Sequence, residues 1–578
     1  MRALYREMKI IVAVGSVAVF SVAPAPRGHA AEPLVCAAAC TDVGAPVAVP
    51  DRSVAFFPLE RGVAGRLRRG ADKGLFLDTT RDGETWETLT IVGAEAVPLS
   101  AASAIRLRDG TILLFSLAKR CAERCRRPAI DYFFDLVLTR IAPDGRVAGP
   151  TEVIRAGFVG DIRRAVELPS GRIVLPFTTW RPGAVAGPPA GPTDVVIAIS
   201  DDHGASFRII TPGLVAPVPE TPRAPGFGAV EPAIGLMPDG TLLMLFRTQT
   251  DALWRSTSRD GEVWTAAEPS GFFSPSAPAF LAETPEGGLI VTWNQTHQPS
   301  RHGDRMVYGG RDVLSAAHLA HGGTAWRGFR PVLTDERYAE VIDGDQGTAY
   351  PRVAPLAGGR VLLVAGQGGG RKRLVSFGLP WLLSGCQNAP SGASEPHWIG
   401  FSETGPVVRH KRARLRTVFD GAPGAPAEFV AHGSGAAAGL VGVPRLEDGL
   451  AEWRVESRLP DGGPAIEVTL LDRFVNPDDP AVERATLARF LLAGGRKAAD
   501  LRLTWSTGER LATLSLDGRR VGSAAIGDRH VAFIRLGFHS AGGAAEVSGS
   551  PETVAAEPRP IARVDGPRVC AATRPTRR

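Results

Sequence analysis

The chain has 578 residues, a formal net charge of +6, and 67 glycines and 47 prolines. That length holds two or three domains and a large core, and the glycine and proline content suits short strands and turns rather than long helices. The positive charge is diffuse, arginine dominates over lysine, and no dense basic run exists beyond short pieces such as Arg66 to Arg69, so the sequence carries no nucleic-acid footprint.

In chain order, the N-terminus comes first. A basic start (Arg2, Arg6, Lys9) leads into the apolar run Ile10 to Ala23 and then into Gly28-His29-Ala30-Ala31. This pattern predicts a signal peptide over residues 1–31 and a secreted or periplasmic protein. Val35 before Cys36 makes a poor lipobox, and no later apolar run is long enough to span a bilayer, so no membrane insertion of the mature chain is expected. Six cysteines fit an oxidising compartment. The expected pairing joins Cys386 to Cys570 and the Cys36/Cys40 piece to the Cys121/Cys125 piece. No histidines sit at ligand spacing from them, so no metal and no cofactor is expected.

A repeat of about sixty residues follows. TTRDGETW, IAPDGRVA, SDDHGASF, TSRDGEVW and LAHGGTAW place Gly83, Gly145, Gly204, Gly261 and Gly323 at steps of 57 to 62 residues. A second series interleaves with it: RDGTILLF, PSGRIVLPF, PDGTLLMLF, PEGGLIVTW and AGGRVLLVA, turning at Gly110, Gly171, Gly240, Gly287 and Gly359, with a fainter member at Gly62. Each is a tight turn opening a β-rich run. Six units of four short strands predict an all-β fold, a six-bladed β-propeller over residues 45–385.

The register of the second series singles out four residues. Glu231 lies nine residues before Gly240, and Tyr350 nine before Gly359; both precede a proline. They share one register on the first strands of the fourth and sixth units. Arg247 closes the fourth unit's second strand, nearly opposite Glu231 across the hairpin. Arg311 opens the fifth unit's third strand. In a propeller these positions gather at one face. Taken singly, Glu231 with Arg247 also reads as a structural ion pair, and Tyr350 as a packed funnel residue.

The first glycine series resembles the Asp-box of the sialidase (neuraminidase) superfamily, with Ser200 to Phe207 the nearest copy. Arg81 and Arg259 stand at the Asp slot of two others, Asp82 and Asp260 one place later, and His321 in the fifth. SPSAPAF and VTWNQT are also similar to the family's pattern. The resemblance, over roughly residues 50 to 383, implies that Tyr350 is a nucleophile and Glu231 its base. A neutral tyrosine suits an anomeric carbon that carries a carboxylate, and guanidinium forks match that carboxylate. It implies Arg247 and Arg311 as two of three clamp arginines. The family's Phe-Arg-Ile-Pro motif is absent; Arg52, ten residues before Gly62, holds the register of the first clamp arginine. Asp72, eleven residues before Gly83, is the candidate acid/base, with Asp161 and Asp131 as alternatives.

After Leu383 the rhythm stops. Residues 386–397 read as a linker. Residues 398–560 alternate apolar and polar residues as strands do, and LATLSLDGRRVGSA resembles the Asp-Gly hairpin of laminin-G or concanavalin-like sandwiches. A lectin-like β-sandwich is expected there, and a tail over 561–578. The reading is an exo-glycosidase of the sialidase type that hydrolyses sialic acid or a related acidic sugar with retention. Sialylated or other acidic glycans are its partners. The alternatives are a non-catalytic glycan-binding propeller and a propeller hydrolase for another sugar.

Overall fold

The computed structural model describes residues 35–36, 44–71, 74–91, 100–119, 134–181, 193–219, 226–297, 311, 313–334, 347–367, 372–387, 399–402, 427–431, 436–459, 463–475, 482–539 and 559–573. The expected signal peptide, Asp72, Asp131, Cys40, Cys121, Cys125 and most of the expected linker lie outside the described residues.

The fold is all-β. Residues 47–378 form six antiparallel sheets in chain order, and each is built on four strand positions. The first runs from Ala55–Glu60 to Glu87–Ile91 and the second from Ser100–Arg106 to Glu152–Arg155. In the third, two short pieces, Val159–Ile162 and Val166–Glu167, share the place of a first strand against Ile173–Trp180. The fourth runs from Val230–Leu236 to Glu268–Phe273, and the fifth from Phe280–Glu283 to Trp326–Thr334. The sixth takes three strands from residues 352–378, and its fourth, Val47–Val49, comes from the other end of this region.

The middle strands are apolar on both faces. Leu242–Arg247 and Leu289–Asn294 are buried at every residue, because each sheet is covered by a neighbour on either side. One cluster joins the first and second sheets through Leu67, Leu77 and Leu114. Others join the second to the third through Phe115 and Phe177, the third to the fourth through Val174 and Met244, and the fourth to the fifth through Leu245 and Trp293. Phe280 and Leu363 join the fifth to the sixth, and Leu362 with Phe56 brings the sixth back to the first. Each such Leu or Phe contributes about 1.5–3 kcal/mol of burial.

The two turn series are where the glycine spacing puts them. Asp82 Oδ1 accepts from the Glu84 and Thr85 N–H at 2.8 Å, and Asp260 Oδ1 from the Glu262 and Val263 N–H at 2.8 and 2.9 Å. Asp202 accepts from the Ser206 N–H at 2.9 Å. Asp82 and Asp260 thus do the stapling, which corrects the reading that Arg81 and Arg259 hold the Asp slot. The hydroxyl two residues earlier completes each turn, as Ser258 Oγ does for the Gly261 N–H at 2.8 Å. Gly261 has φ +77°, and a Cβ there would lie 2.4 Å from Val174 Cγ2 on the third sheet, so this turn is tucked against its neighbour.

Beyond residue 385 two antiparallel sheets share one core, in which Trp453, Leu501 and Leu514 of one meet Val468, Leu536 and Phe538 of the other. The expected tail is a correction: Arg559–Thr573 is a strand that pairs with Asp448–Ser457 on one side. Val35–Cys36, Cys386–Gln387 and Ala427–Ala431 line its other side. Gly566 and Pro567 fall where the register skips between Arg454 and Glu452, a place that tolerates proline in a sheet. Cys386 and Cys570 face each other across this pairing, and both are disulfide-bonded. The C-terminal unit docks on the fifth sheet, where the Phe474 N–H donates to Gln295 O at 3.1 Å and the His297 N–H to Phe474 O at 2.8 Å.

Candidate active site

The pairing of the fourth hairpin breaks between Val230 and Ala233. Arg247 is therefore opposite Val230, and Glu231 falls in the break with φ 51°. Its N–H is held by Thr178 Oγ1 of the third sheet at 2.7 Å. Tyr350, two residues before the strand Arg352–Pro355, has φ 57°. Such backbone is unusual away from glycine and is kept by its surroundings.

Tyr350 Oη donates to Glu231 Oε1 at 2.6 Å. Arg247 Nη1 donates to Glu231 Oε2 at 2.9 Å and reaches Tyr350 Oη at 3.3 Å, while its Nε donates to Ser276 Oγ at 2.9 Å. Arg311 is buried; it donates to Gln367 Oε1 at 2.8 Å and to Ser276 O at 2.9 Å, and its guanidinium lies 5.6 Å from the Tyr350 ring centroid. Glu231, Tyr350, Arg247 and Arg311 are thus brought together. Arg52 is not with them. It is exposed and lines a groove with Arg66, Trp86 and Arg360, because residues 51–54 precede the first sheet's first strand and are tied outward, Lys372 Nζ donating to Ser53 O at 2.6 Å.

Three residues close the other side. Arg163 is buried, lies 5.4 Å from the Tyr350 ring centroid and donates to Pro351 O at 2.5 Å. Arg352 donates to Arg163 O at 3.1 Å and to Ala101 O at 3.3 Å. Asp161 has Oδ2 at 3.7 Å from Arg163 Nη1. The sequence reading missed both arginines. Each follows a cluster residue by two positions, Arg163 after Asp161 and Arg352 after Tyr350, but neither pair lies within one strand, so strand alternation offered no signal for them.

The electrostatics follow from this crowding. Loss of water opposes the Glu231 charge, but Arg247, the Tyr350 and Arg247 hydrogen bonds and then Arg311 outweigh it and hold the carboxyl below its usual range. Burial first, and then the Glu231 charge, push the Tyr350 phenol far above its ordinary value against the pull of Arg247 and Arg311. At rest the phenol is neutral and the carboxylate ionised. Burial raises Asp161 to about 6, with Arg163 and Arg352 pulling it down and Glu231 pushing it up. Burial and the Arg163 charge bring Arg352 down to about 9. Four arginines face two carboxyls here, so the cluster carries excess positive charge and suits an anionic ligand.

Chemically the arrangement offers a phenol with an ionised acceptor in contact and guanidinium groups on either side. Among the described residues no group of three or more His, Cys, Asp or Glu side chains fits a metal ion.

Residues 148–363 match the BNR repeat-like domain family. No curated protein matches the chain. Among solved structures, the chain is similar to a protein of unknown function from Dyadobacter fermentans, at 19% identity over 57% of this chain and 96% of that one, with a TM-score of 0.37. It is also similar to Trypanosoma rangeli sialidase in complex with the inhibitor DANA, at 14% identity over 92% of this chain and 96% of that one, TM-score 0.35. A third is the NanB sialidase from Streptococcus pneumoniae, at 12% identity over 58% and 70%, TM-score 0.34.

Proposed function

We propose that this chain, whose residues 148–363 match the BNR repeat-like domain family, belongs to the sialidase and BNR-repeat superfamily and is an exo-acting glycoside hydrolase that removes a terminal acidic sugar, sialic acid or a close relative, with retention. In this reading the six sheets are the blades of a six-bladed propeller, the C-terminal pair of sheets is a lectin-like sandwich, and the protein works after export on sialylated or other acidic glycans.

The observation that supports it is the contact of Tyr350 Oη with Glu231 Oε1 at 2.6 Å, inside a set of arginines. Proton transfer from phenol to carboxylate needs no movement of either group. The resting arrangement opposes that transfer, since Glu231 is held acidic and Tyr350 weakly so. A substrate carboxylate arriving at Arg247 and Arg311 competes with Glu231 for the Arg247 charge. Glu231 becomes a better base when an acidic sugar is present, and the phenol then attacks the anomeric carbon.

The test is release of free sialic acid from sialyllactose by the purified mature protein, beside Tyr350→Phe. Release by the wild type that collapses in the variant supports the reading; no release from a folded, disulfide-bonded protein sinks it for that sugar. The position of Arg52, outside the cluster, favours a second reading, a glycan-binding propeller without catalysis. Retained binding of sialyllactose with no release would identify that case.

A further inference from the structure

The groove that holds Arg52 takes no part in the exchange between Tyr350 and Glu231. It lies along the seam between the first and sixth sheets and has a volume of about 910 Å³, within the range of about 300–1,000 Å³ that ligand pockets occupy. Register sets its direction. Val47–Val49, the outer strand of the sixth sheet, lines it; Val49 pairs with Leu374 at one end, and Gly44 O accepts the Gly378 N–H at the other. Arg52 lies at the Val49 end, and Arg360, whose strand partner is Gly378, lies at the other. Arg66, from the middle of Val63–Arg69, enters from the first sheet.

The lining is rich in donors. Arg52 is exposed and makes no hydrogen bond or ion pair among the described residues, and Asp51 beside it is taken by Lys372 at 3.3 Å. Arg66 and Arg68 share the single charge of Asp78, their Nε atoms 3.2 and 2.7 Å from its Oδ2. Glu84 is the one carboxylate among the described lining residues, and Arg360 Nη1 holds it at 2.7 Å. Trp264, at the equivalent turn of the fourth sheet, donates its indole N–H to Gly261 O at 3.0 Å. Trp86, at the same place in the first sheet's turn, makes no such bond, and the Arg66 guanidinium lies 4.0 Å from its ring centroid. Between these donors the surface is apolar: Val47, 49% exposed, with Val49, Phe377 and Pro380. A ligand that fits this lining offers negative acceptors separated by apolar faces.

We infer that the groove is a second, non-catalytic binding site for acidic glycans, taking an oligosaccharide that carries carboxylates on more than one ring. For the class of ligand the inference rests on the glycan reading above. Guanidinium forks meet the carboxylates, and the C–H faces of the sugar rings lie on the apolar floor. The groove is about six times the ~150 Å³ cavity that takes a benzene-sized ring, which leaves room for several sugars. It also lies near the cluster around Tyr350. A row of paired residues crosses the sixth sheet from Arg352 through Val364 and Leu374 to Val49, three strand spacings or about 14 Å. A branched or polymeric acidic glycan held at Arg52 keeps its other ends within reach of Tyr350 and raises their effective concentration there.

The experiment has a binding arm and a kinetic arm. In calorimetry, Tyr350→Phe protein is titrated with an α2,8-linked sialic acid tetramer, with neutral maltotetraose and with tetraglutamate, beside the same protein carrying Arg52→Glu or Arg360→Glu. The acidic tetramer should bind at a site that the neutral one does not occupy, and either charge reversal should weaken that site about tenfold or more. In kinetics, Arg52→Glu should raise KM about tenfold on a polyvalent sialylated mucin and leave kcat and KM on sialyllactose within about twofold. Unchanged tetramer binding in both charge-reversal variants overturns the inference. So does an equal rise of KM on sialyllactose, which would return Arg52 to the catalytic site, or tetraglutamate binding as tightly through Arg52. If the folded wild type cleaves neither substrate while Arg52→Glu still loses tetramer binding, the glycosidase reading fails and the groove stands.

Discussion

Tyr350 and Glu231 meet at 2.6 Å, and both hold left-handed backbone, φ 57° and 51°. Two residues on different sheets are each bent out of regular pairing so that their side chains touch. Non-glycine residues adopt this conformation at a cost of about 1 kcal/mol or more, and here the packing around Pro232, Pro351 and Thr178 sustains it.

Glu231→Gln keeps the shape of the acceptor and removes its charge. The expected loss is about 10²- to 10⁴-fold in kcat on sialyllactose, with KM moved far less. The pH dependence has a definite sign. The folded carboxyl is held below its unfolded value, so its ionisation adds stability that is complete above the unfolded value of about 4.3 and is lost as pH falls through the folded one. Thermal melts across that acidic window should show a steeper decline for wild type than for Glu231→Gln. Parallel declines would mean that the carboxylate gains nothing from Arg247.

Thr178 is buried and its Oγ1 holds the Glu231 N–H at 2.7 Å. It acts as a positioning residue. Thr178→Val leaves that N–H without its acceptor, a cost of about 1–3 kcal/mol, and loosens the bend. A fall of about tenfold in kcat is expected, with KM nearly unchanged, and Thr178→Ser should restore most of it. Equal loss in the Ser and Val variants would point to packing of the Thr178 methyl instead.

Arg247 and Arg311 should separate kinetically. Arg247 touches the base, the phenol and Ser276, whereas Arg311 donates to Gln367 and the Ser276 carbonyl and lies over the face of the tyrosine ring. Lysine cannot reproduce the fork at either place. Arg247→Lys is expected to damage kcat and KM together. Arg311→Lys should raise KM by about 10- to 100-fold, the worth of one charge-assisted hydrogen bond or two, with kcat within a few-fold. Steady-state kinetics on sialyllactose decides, and a large kcat effect in Arg311→Lys would move that arginine closer to the reacting centre.

Much of this was legible because turns are local. Two glycine series marked the hairpins, and counting back from Gly240 and Gly359 reached Glu231 and Tyr350. Counting back failed at Arg52, since ten residues before Gly62 lies the connection that precedes the first sheet, where Lys372 Nζ donates to the Ser53 carbonyl. Arg163 and Arg352 were missed because their roles come from other sheets: one reaches Pro351 O, and the other Ala101 O. In an arginine-rich chain, nothing local separates such a residue from a solvated one. The C-terminal strand was hidden by Pro560 and Pro567, which read as breakers, yet Pro567 falls where the pairing skips and Pro560, paired with Val430, sits next to the skip at Ile561.

The inner strands also carry a charge pair that takes no part in the proposed chemistry. Arg164 of the third sheet donates to Glu283 of the fifth and, at 3.0 Å, to Leu281 O, while Glu283 Oε1 accepts the Leu236 N–H of the fourth sheet at 2.7 Å. Three consecutive sheets are thus joined at one carboxylate. Burial opposes the Glu283 charge, but Arg164 and these hydrogen bonds outweigh it and hold the carboxyl below its usual range. Glu283→Ala strands the guanidinium and should cost about 3–5 kcal/mol. Replacing both partners with apolar residues of similar volume, Arg164→Met with Glu283→Leu, should recover most of that, because the price of the pair is largely desolvation. Urea unfolding of the single and double variants checks this. A double variant as unstable as Glu283→Ala would show that the Leu236 N–H bond, not the ion pair, is what joins the sheets here.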